Sequence, residues 1–133
     1  MNLEITKNNE EYYDFIRELR THKENISGFL EQVEITSEQQ KEYMSKYGDN
    51  YYIALENSEP VGWVGEVNDD IRVCTHPDHK GKGVGKFMVN ELMKRHPSAY
   101  AKVLLENDAS KNLFIACDFV VYKEDEKFIY YKR

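Results

Sequence analysis

The run His76-Pro77-Asp78-His79-Lys80-Gly81-Lys82-Gly83-Val84-Gly85-Lys86 sets three glycines at alternate positions and threads them with lysines. Glycine adopts positive φ at no steric cost and lets a ligand approach the backbone amides closely. Between a strand and a helix, such a loop offers consecutive free N–H groups at the positive end of the helix, which suits phosphate. A tight turn with solvated lysines is the plainer reading of an isolated glycine cluster, so the surroundings must decide. Gly81-Lys82-Gly83-Val84-Gly85 lacks the Lys-Ser/Thr ending of a P-loop and therefore its magnesium-binding hydroxyl. It also misses the GxGxxG spacing, and the strands before it read as a hairpin, not as a βαβ unit. Cys74, His76 and His79 are spaced like zinc ligands, but Pro77 follows His76 and no fourth ligand is paired nearby, so metal binding is the poorer account. Cys74 has no histidine placed to activate it and reads as a buried strand residue.

The elements around this loop follow from apolar periodicity. Asn8-Asn9-Glu10-Glu11 offers an N-cap, and Tyr12, Phe15, Ile16 and Leu19 recur at helical spacing, which predicts a helix over about residues 9 to 20. Residues 22 to 35 have no clean period and read as a loop or short helical turn. Thr36-Ser37-Glu38-Gln39 then caps a second helix with Tyr43, Met44 and Tyr47 on one face. Tyr52-Ile53-Ala54-Leu55 and Val61 to Val67, separated by Glu56-Asn57-Ser58-Glu59-Pro60, read as an antiparallel hairpin. Asn68-Asp69-Asp70 reads as a turn and Ile71 to Thr75 as the strand that enters the glycine loop. Beyond it, Val84, Phe87, Met88 and Leu92 trace a helix that His96-Pro97 ends. Tyr100 to Leu105 reads as a strand, Asp108 as the cap of a helix carrying Leu113, Phe114 and Cys117, and residues 119 to 122 with 128 to 131 as a closing hairpin. This order, two helices, three strands, helix, strand, helix and two strands, predicts a single α+β (α/β-mixed) domain, 1–133, with a central, mostly antiparallel sheet flanked by helices.

A length of 133 residues fits one core, and 41% hydrophobic with 32% charged residues is the composition of a folded globular chain. A formal net charge of −6 argues against nucleic acid as a partner and mildly favours a cationic small molecule. The N-terminus lacks a signal-peptide pattern and no apolar run approaches ~18 residues, so the expectation is a cytoplasmic protein without a membrane. Two cysteines, Cys74 and Cys117, fit a reducing compartment.

Val73 to Gly85 closely resembles the acetyl-CoA signature of the GNAT superfamily of N-acetyltransferases: Arg or Gln, two residues, Gly, one residue, Gly or Ala. Lys80 stands where Arg or Gln is usual. Downstream, Glu106-Asn107-Asp108-Ala109-Ser110-Lys111-Asn112-Leu113-Phe114-Ile115-Ala116-Cys117-Asp118-Phe119 is similar to the family's Asn, small residue, Leu-Tyr, Gly-Phe segment. The resemblance covers nearly the whole chain. It implies that backbone groups of Val73, Cys74 and Thr75 bind the pantetheine arm as an added strand would. It further implies that amides of Gly81, Lys82, Gly83, Val84, Gly85 and Lys86 hold the pyrophosphate, and that Asn107 contacts the cofactor. The implied activity is transfer of an acetyl group from acetyl-CoA, with no metal, to a primary amine of a small molecule such as an amino acid or amino sugar. The alternative is a catalytically silent CoA-binding regulatory domain. Oligomeric state stays open, a homodimer being one arrangement.

Acetyl transfer needs a neutral amine, donors for the tetrahedral oxyanion and a proton for the leaving thiolate. Phe114 occupies the position where many family members carry the acid Tyr, Lys102 a strand position where some relatives carry Glu, and Asp118 the usual glycine. Glu66, at the end of a hairpin strand, is the candidate base, with Tyr122, Tyr130 and Tyr131 as candidate acids. A thiol of pKa ~8.5 leaves with little acid help, and an amine of pKa nearer ~8 needs little base help, which favours α-amino or sugar amines over lysine side chains. Residues 22 to 35 and the last hairpin are expected to shape the acceptor pocket.

Overall fold

The computed structural model describes residues 2–22 and 35–133, so most of the segment expected to be a loop lies outside the described residues. The chain opens with a strand that periodicity does not announce, β1 (Leu3–Lys7), which pairs antiparallel with β2 (Tyr51–Glu56). The first expected helix divides in two. Asn9 caps a 3-10 turn over Glu10–Tyr12, its side chain accepting from the Glu11 N–H at 2.8 Å, and α1 (Tyr13–Thr21) follows. α2 (Ser37–Tyr47) begins with the reciprocal Thr36–Gln39 capping box that the sequence signals, satisfying two otherwise unpaired N–H groups.

β2 and β3 (Glu59–Val67) form the expected hairpin, turned at Asn57 and Ser58 with φ of 51° and 70°. β3 and β4 (Asp70–Thr75) form a second, turned at Asn68 and Asp69 with φ of 53° and 69°. Both central residues of each turn are left-handed, the geometry whose twist matches that of the flanking strands, and Asn tolerates it better than most residues. α3 (Val84–Arg95) ends where His96 donates its N–H to the Leu92 carbonyl at 2.8 Å. β5 (Ala101–Leu104), α4 (Asp108–Ala116), β6 (Val120–Glu124) and β7 (Phe128–Lys132) complete the chain. Asn107 caps α4, its side-chain oxygen accepting from the Ser110 N–H at 3.1 Å, which displaces Asp108 from the expected capping position by one residue. Asn107→Ala is expected to cost about 1 kcal/mol of stability, read by urea denaturation.

The strands form two antiparallel sheets, β1-β2-β3-β4 and β5-β7-β6, joined by a single parallel bridge between Asp70 and Tyr100. Apolar side chains cover both faces. Val64, Ile71, Val84, Met88, Val89, Leu92, Val103, Phe114, Phe119 and Tyr131 form the core under α3 and α4. Ile16, Leu19, Met44, Tyr51, Ile53, Trp63 and Cys74 form the core under α1 and α2. The buried amide of Gln40 is satisfied by donating to the Tyr13 carbonyl at 3.1 Å, which ties α2 to α1. At Gly62 a methyl group would stand 2.8 Å from the Met88 methyl and 2.9 Å from the Cys74 carbonyl, so the bare backbone lets α3 lie close on β3. The result is the expected α+β architecture, with the site at the seam between the two sheets.

Candidate active site

The seam closes at one end. Tyr100 donates its N–H to the Asp69 carbonyl at 2.8 Å, and Ile71 donates to the Tyr100 carbonyl at 2.9 Å. Among the described residues no backbone bond joins β4 to β5 beyond this point, so the strands splay apart. Backbone groups alternate sides along an antiparallel ladder. The Ile71 N–H faces the seam and the His76 N–H faces inward to the Val61 carbonyl at 2.8 Å, so Val73 and Thr75 present their N–H and C=O groups to the gap. Cys74 turns its backbone inward to Trp63, which leaves two of the three residues expected to act as a strand edge with amide groups free to do so. The Cys74 thiol lies in the core, 3.7 Å from the Leu19 carbonyl, and burial pushes its pKa up to about 12, so it stays protonated at neutral pH.

The glycine loop stands at the open end of the seam. Gly81 and Gly83 have φ of 79° and 86°, which side-chain-bearing residues rarely adopt, and Gly83 is the N-cap of α3. The first N–H groups of α3 have no intrahelical acceptor and no acidic side chain stands in its first turn, so the positive end of the helix faces the cleft unneutralised. A cleft of about 650 Å³ runs between this loop and the start of α4, lined by Val73, Cys74, Thr75, Gly81, Gly83, Val84, Gly85, Lys86 and Asn107. Lys82 is exposed and does not line it, although it belongs to the same loop. His76 and His79 pack edge to face at 5.6 Å, and His79 Nδ1 lies 3.5 Å from Glu56 Oε2. Among the described residues no three His, Cys, Asp or Glu side chains converge as metal ligands would.

A second cleft, of about 670 Å³, opens on the other side of the seam beneath α1 and α2. Tyr43, Tyr47, Tyr51, Trp63 and Phe114 give it aromatic walls, and Asp70, Arg72 and Lys102 give it charge. Burial raises the Tyr51 pKa well above its ordinary value, so Tyr51 stays uncharged, and its hydroxyl lies 2.7 Å from that of Tyr43. The two clefts share Val73, Asn107 and Ser110. They are therefore two arms of one passage that meet where the strand edge is free.

Glu66 is not in this passage. Trp63 and Val67 on β3 line the second cleft, and strand alternation turns Glu66 to the opposite face, beneath α3. There it is 7% exposed, accepts from the Asp69 N–H at 2.7 Å and lies 3.6 Å from His96 Nδ1, whose other ring nitrogen meets the Tyr52 hydroxyl at 3.1 Å. The role this supports is holding the β3–β4 turn against the end of α3. Glu66→Ala is expected to lower stability by about 1–3 kcal/mol in urea denaturation, because it removes the buried, charged acceptor of the Asp69 N–H.

The terminal-hairpin tyrosines are also elsewhere. Tyr131 stacks on Phe114 in the core at 6.1 Å, the Tyr130 hydroxyl donates to Asp125 at 3.1 Å, and Tyr122 is exposed on β6. None of the three lines either cleft, and neither does the rest of the last hairpin. Ile35 does line the second cleft. The carboxylate that sequence reasoning missed is Asp70, taken for a turn residue. It lines the second cleft, and burial raises its pKa despite Arg72, whose guanidinium lies 3.5 Å away, and despite the charge of Lys102. The available signal was its parity with Cys74 and Arg72 on one strand.

The model of the acetyltransferase (GNAT) family matches residues 9–119. The chain belongs to the GNAT family of acetyltransferases. GNAT enzymes of known structure share its fold. A phosphinothricin acetyltransferase from Sinorhizobium meliloti, solved with acetyl-CoA, superposes with a TM-score of 0.83 at 15% identity, over 100% of this chain and 88% of that one. A ribosomal-protein-alanine N-acetyltransferase from Brucella melitensis gives 0.81 at 13% identity, over 96% and 97%. A spermidine N-acetyltransferase from Vibrio cholerae, solved with CoA and spermine, gives 0.77 at 16% identity, over 97% and 92%. No curated protein sequence matches the chain. Within the GNAT fold the three relatives differ in acceptor, so likeness to them fixes the architecture and leaves the acceptor to this chain's own cleft.

Proposed function

We propose that the protein moves an acetyl group from acetyl-CoA directly to the primary amine of a small molecule, such as an amino acid or amino sugar, within a ternary complex. The observation that carries this reading is the meeting of the two clefts at Val73, Asn107 and Ser110, where a thioester from one side and an amine from the other come within reach. Amides of Gly81, Gly83, Val84, Gly85 and Lys86 take the pyrophosphate, with Lys82 adding only diffuse charge. The pantetheine arm borders Val73, Cys74 and Thr75 and bonds to the amide groups of Val73 and Thr75. Asn107, already holding the start of α4, borders the arm where it turns toward the acceptor.

Asp70 takes the proton of the acceptor ammonium, directly or through water, and the freed amine attacks the thioester carbonyl. The Val73 N–H offers a donor to the oxyanion. The nitrogen, positively charged after attack, gives up its second proton to water, the intermediate collapses, the C–S bond breaks and CoA leaves as the thiolate. Phe114 cannot protonate it, but a thiol of pKa ~8.5 is a competent leaving group unaided.

Titration calorimetry with acetyl-CoA, with ATP as control, tests the first half of the reading; assay of CoA thiol release across an amine panel tests the second. Saturable acetyl-CoA binding with turnover supports it. Binding without turnover on any amine supports instead a silent CoA-binding domain, for which the absence of the family's usual Tyr at Phe114 speaks. The reading places the chain in the cytoplasm, in keeping with its two free, buried cysteines. It also allows a homodimer paired through the exposed edge strand β6, which bares Val120, Val121 and Tyr122. Sedimentation at micromolar concentration reads out monomer or dimer.

A further inference from the structure

The chain as a whole is acidic, with a formal charge of −6, yet its acceptor cleft is not. Among the described residues lining it stand three cations, Arg20, Arg72 and Lys102, and one carboxylate, Asp70. A cleft lined by one sign of charge concentrates ligands of the other sign whatever the net charge of the chain. The cationic partner that the composition favours is therefore opposed at this site.

Asp70 and Arg72 are two residues apart on β4 and so stand on one face of the strand, with 3.5 Å between carboxylate and guanidinium. That contact occupies one nitrogen of Arg72. Its Nε is buried and has no hydrogen-bond partner, an unsatisfied donor on a residue that lines the cleft. Across the seam the Lys102 ammonium lies 4.3 Å from the centre of the Phe128 ring, a contact that positions the charge without neutralising it. The wall thus reads as minus beside plus, with more plus opposite.

We infer that the acceptor is a zwitterion: a small molecule that carries, beside its amine, a carboxylate or similar anionic group. The ammonium faces Asp70, and the anion meets the guanidinium charge of Arg72 and the ammonium charge of Lys102. Arg suits this role, since its fork of donors matches the geometry of a carboxylate. The aromatic side chains Tyr47, Tyr51 and Trp63 accommodate an apolar body. This inference rests on the acetyltransferase reading and narrows its acceptor, excluding polyamines, whose every group is cationic at neutral pH.

The test compares L-phenylalanine, L-methionine and glycine with their carboxamides, and with spermidine, in a CoA-release assay. The carboxamide has the more readily deprotonated amine, so a preference for the free acid does not come from nucleophilicity. The acids are expected to show kcat/KM at least about tenfold above the amides and spermidine, as the loss of one charge-assisted contact implies. Arg72→Gln and Lys102→Gln are each expected to shrink that ratio, a quantity that an effect on Asp70 common to acid and amide does not move. Equal values, or preference for the amides or spermidine, overturn the inference. Calorimetric titration of the protein–CoA complex with the same pairs reads the preference without chemistry. Acids bound no better than amides then overturn the inference where no turnover occurs, whereas failure to bind acetyl-CoA overturns the acetyltransferase reading itself.

Discussion

Asp70→Asn is expected to lower kcat/KM for amine acetylation about a hundredfold or more at neutral pH, the ordinary size of a general-base contribution, while acetyl-CoA affinity stays within about twofold. The substitution keeps the shape of the side chain and its place beside Arg72 but removes the proton acceptor. Burial raises the Asp70 pKa, so the acid limb of the wild-type pH–rate profile should lie above the ordinary Asp value and vanish in the variant. The effect on stability has the opposite sign. Between its ordinary and its raised pKa the folded state binds more protons at Asp70 than the unfolded state, so rising pH through that window costs stability. Asn carries no charge to bury, and the variant should be at least as stable as the parent above the window, read by urea midpoints across pH. Unchanged turnover with an unchanged acid limb removes Asp70 from the mechanism.

Gly83→Val is expected to weaken acetyl-CoA binding about tenfold to a hundredfold, as loss of one or two charge-assisted N–H bonds to phosphate would. An added Cβ at Gly83 meets nothing within 4 Å, so the substitution is not expelled by crowding. Its cost lies in the backbone, because φ of 86° disfavours a β-branched residue, and the loop must turn its amides elsewhere. Stability should fall by no more than about 1–2 kcal/mol, since only one residue is strained and α3 packs through residues beyond it. Calorimetry paired with urea denaturation separates the two effects. Undiminished affinity in a folded variant returns the glycines to a purely structural turn.

The glycine loop was legible because its chemistry is local: positive φ at Gly81 and Gly83 and a helix start immediately after them are properties of adjacent residues. The capping box at Thr36 and both hairpins were legible for the same reason. β1 was not, since Leu3 and Ile5 are its only apolar alternation and its pairing partner, β2, lies some fifty residues away. Strand parity puts Glu66 on the face of β3 away from both clefts. β3 is apolar on both faces, with Trp63 and Val67 on one and Val64 on the other, so nothing in its pattern tells which face meets the ligand. Asp70 looked like one more turn residue because what places it in a cleft is the bridge to Tyr100, thirty positions on. The aromatic wall of Tyr43, Tyr47 and Tyr51 likewise forms only once α2 is laid across the sheet.

An open strand edge recruits any extended backbone, which is why exposed edges invite aggregation. Here the edge at Val73 and Thr75 stands at the bottom of a notch whose other wall is β5 and whose apex is pinned at Tyr100. A polypeptide strand carries side chains above and below its plane and needs free length on both sides, neither of which a closed notch allows. A slender, unbranched chain with occasional amides meets no such obstacle. In the proposed acetyl-CoA complex the splay would act as a filter on molecular girth, keeping a sticky edge available to a thin cofactor arm and out of reach of other proteins.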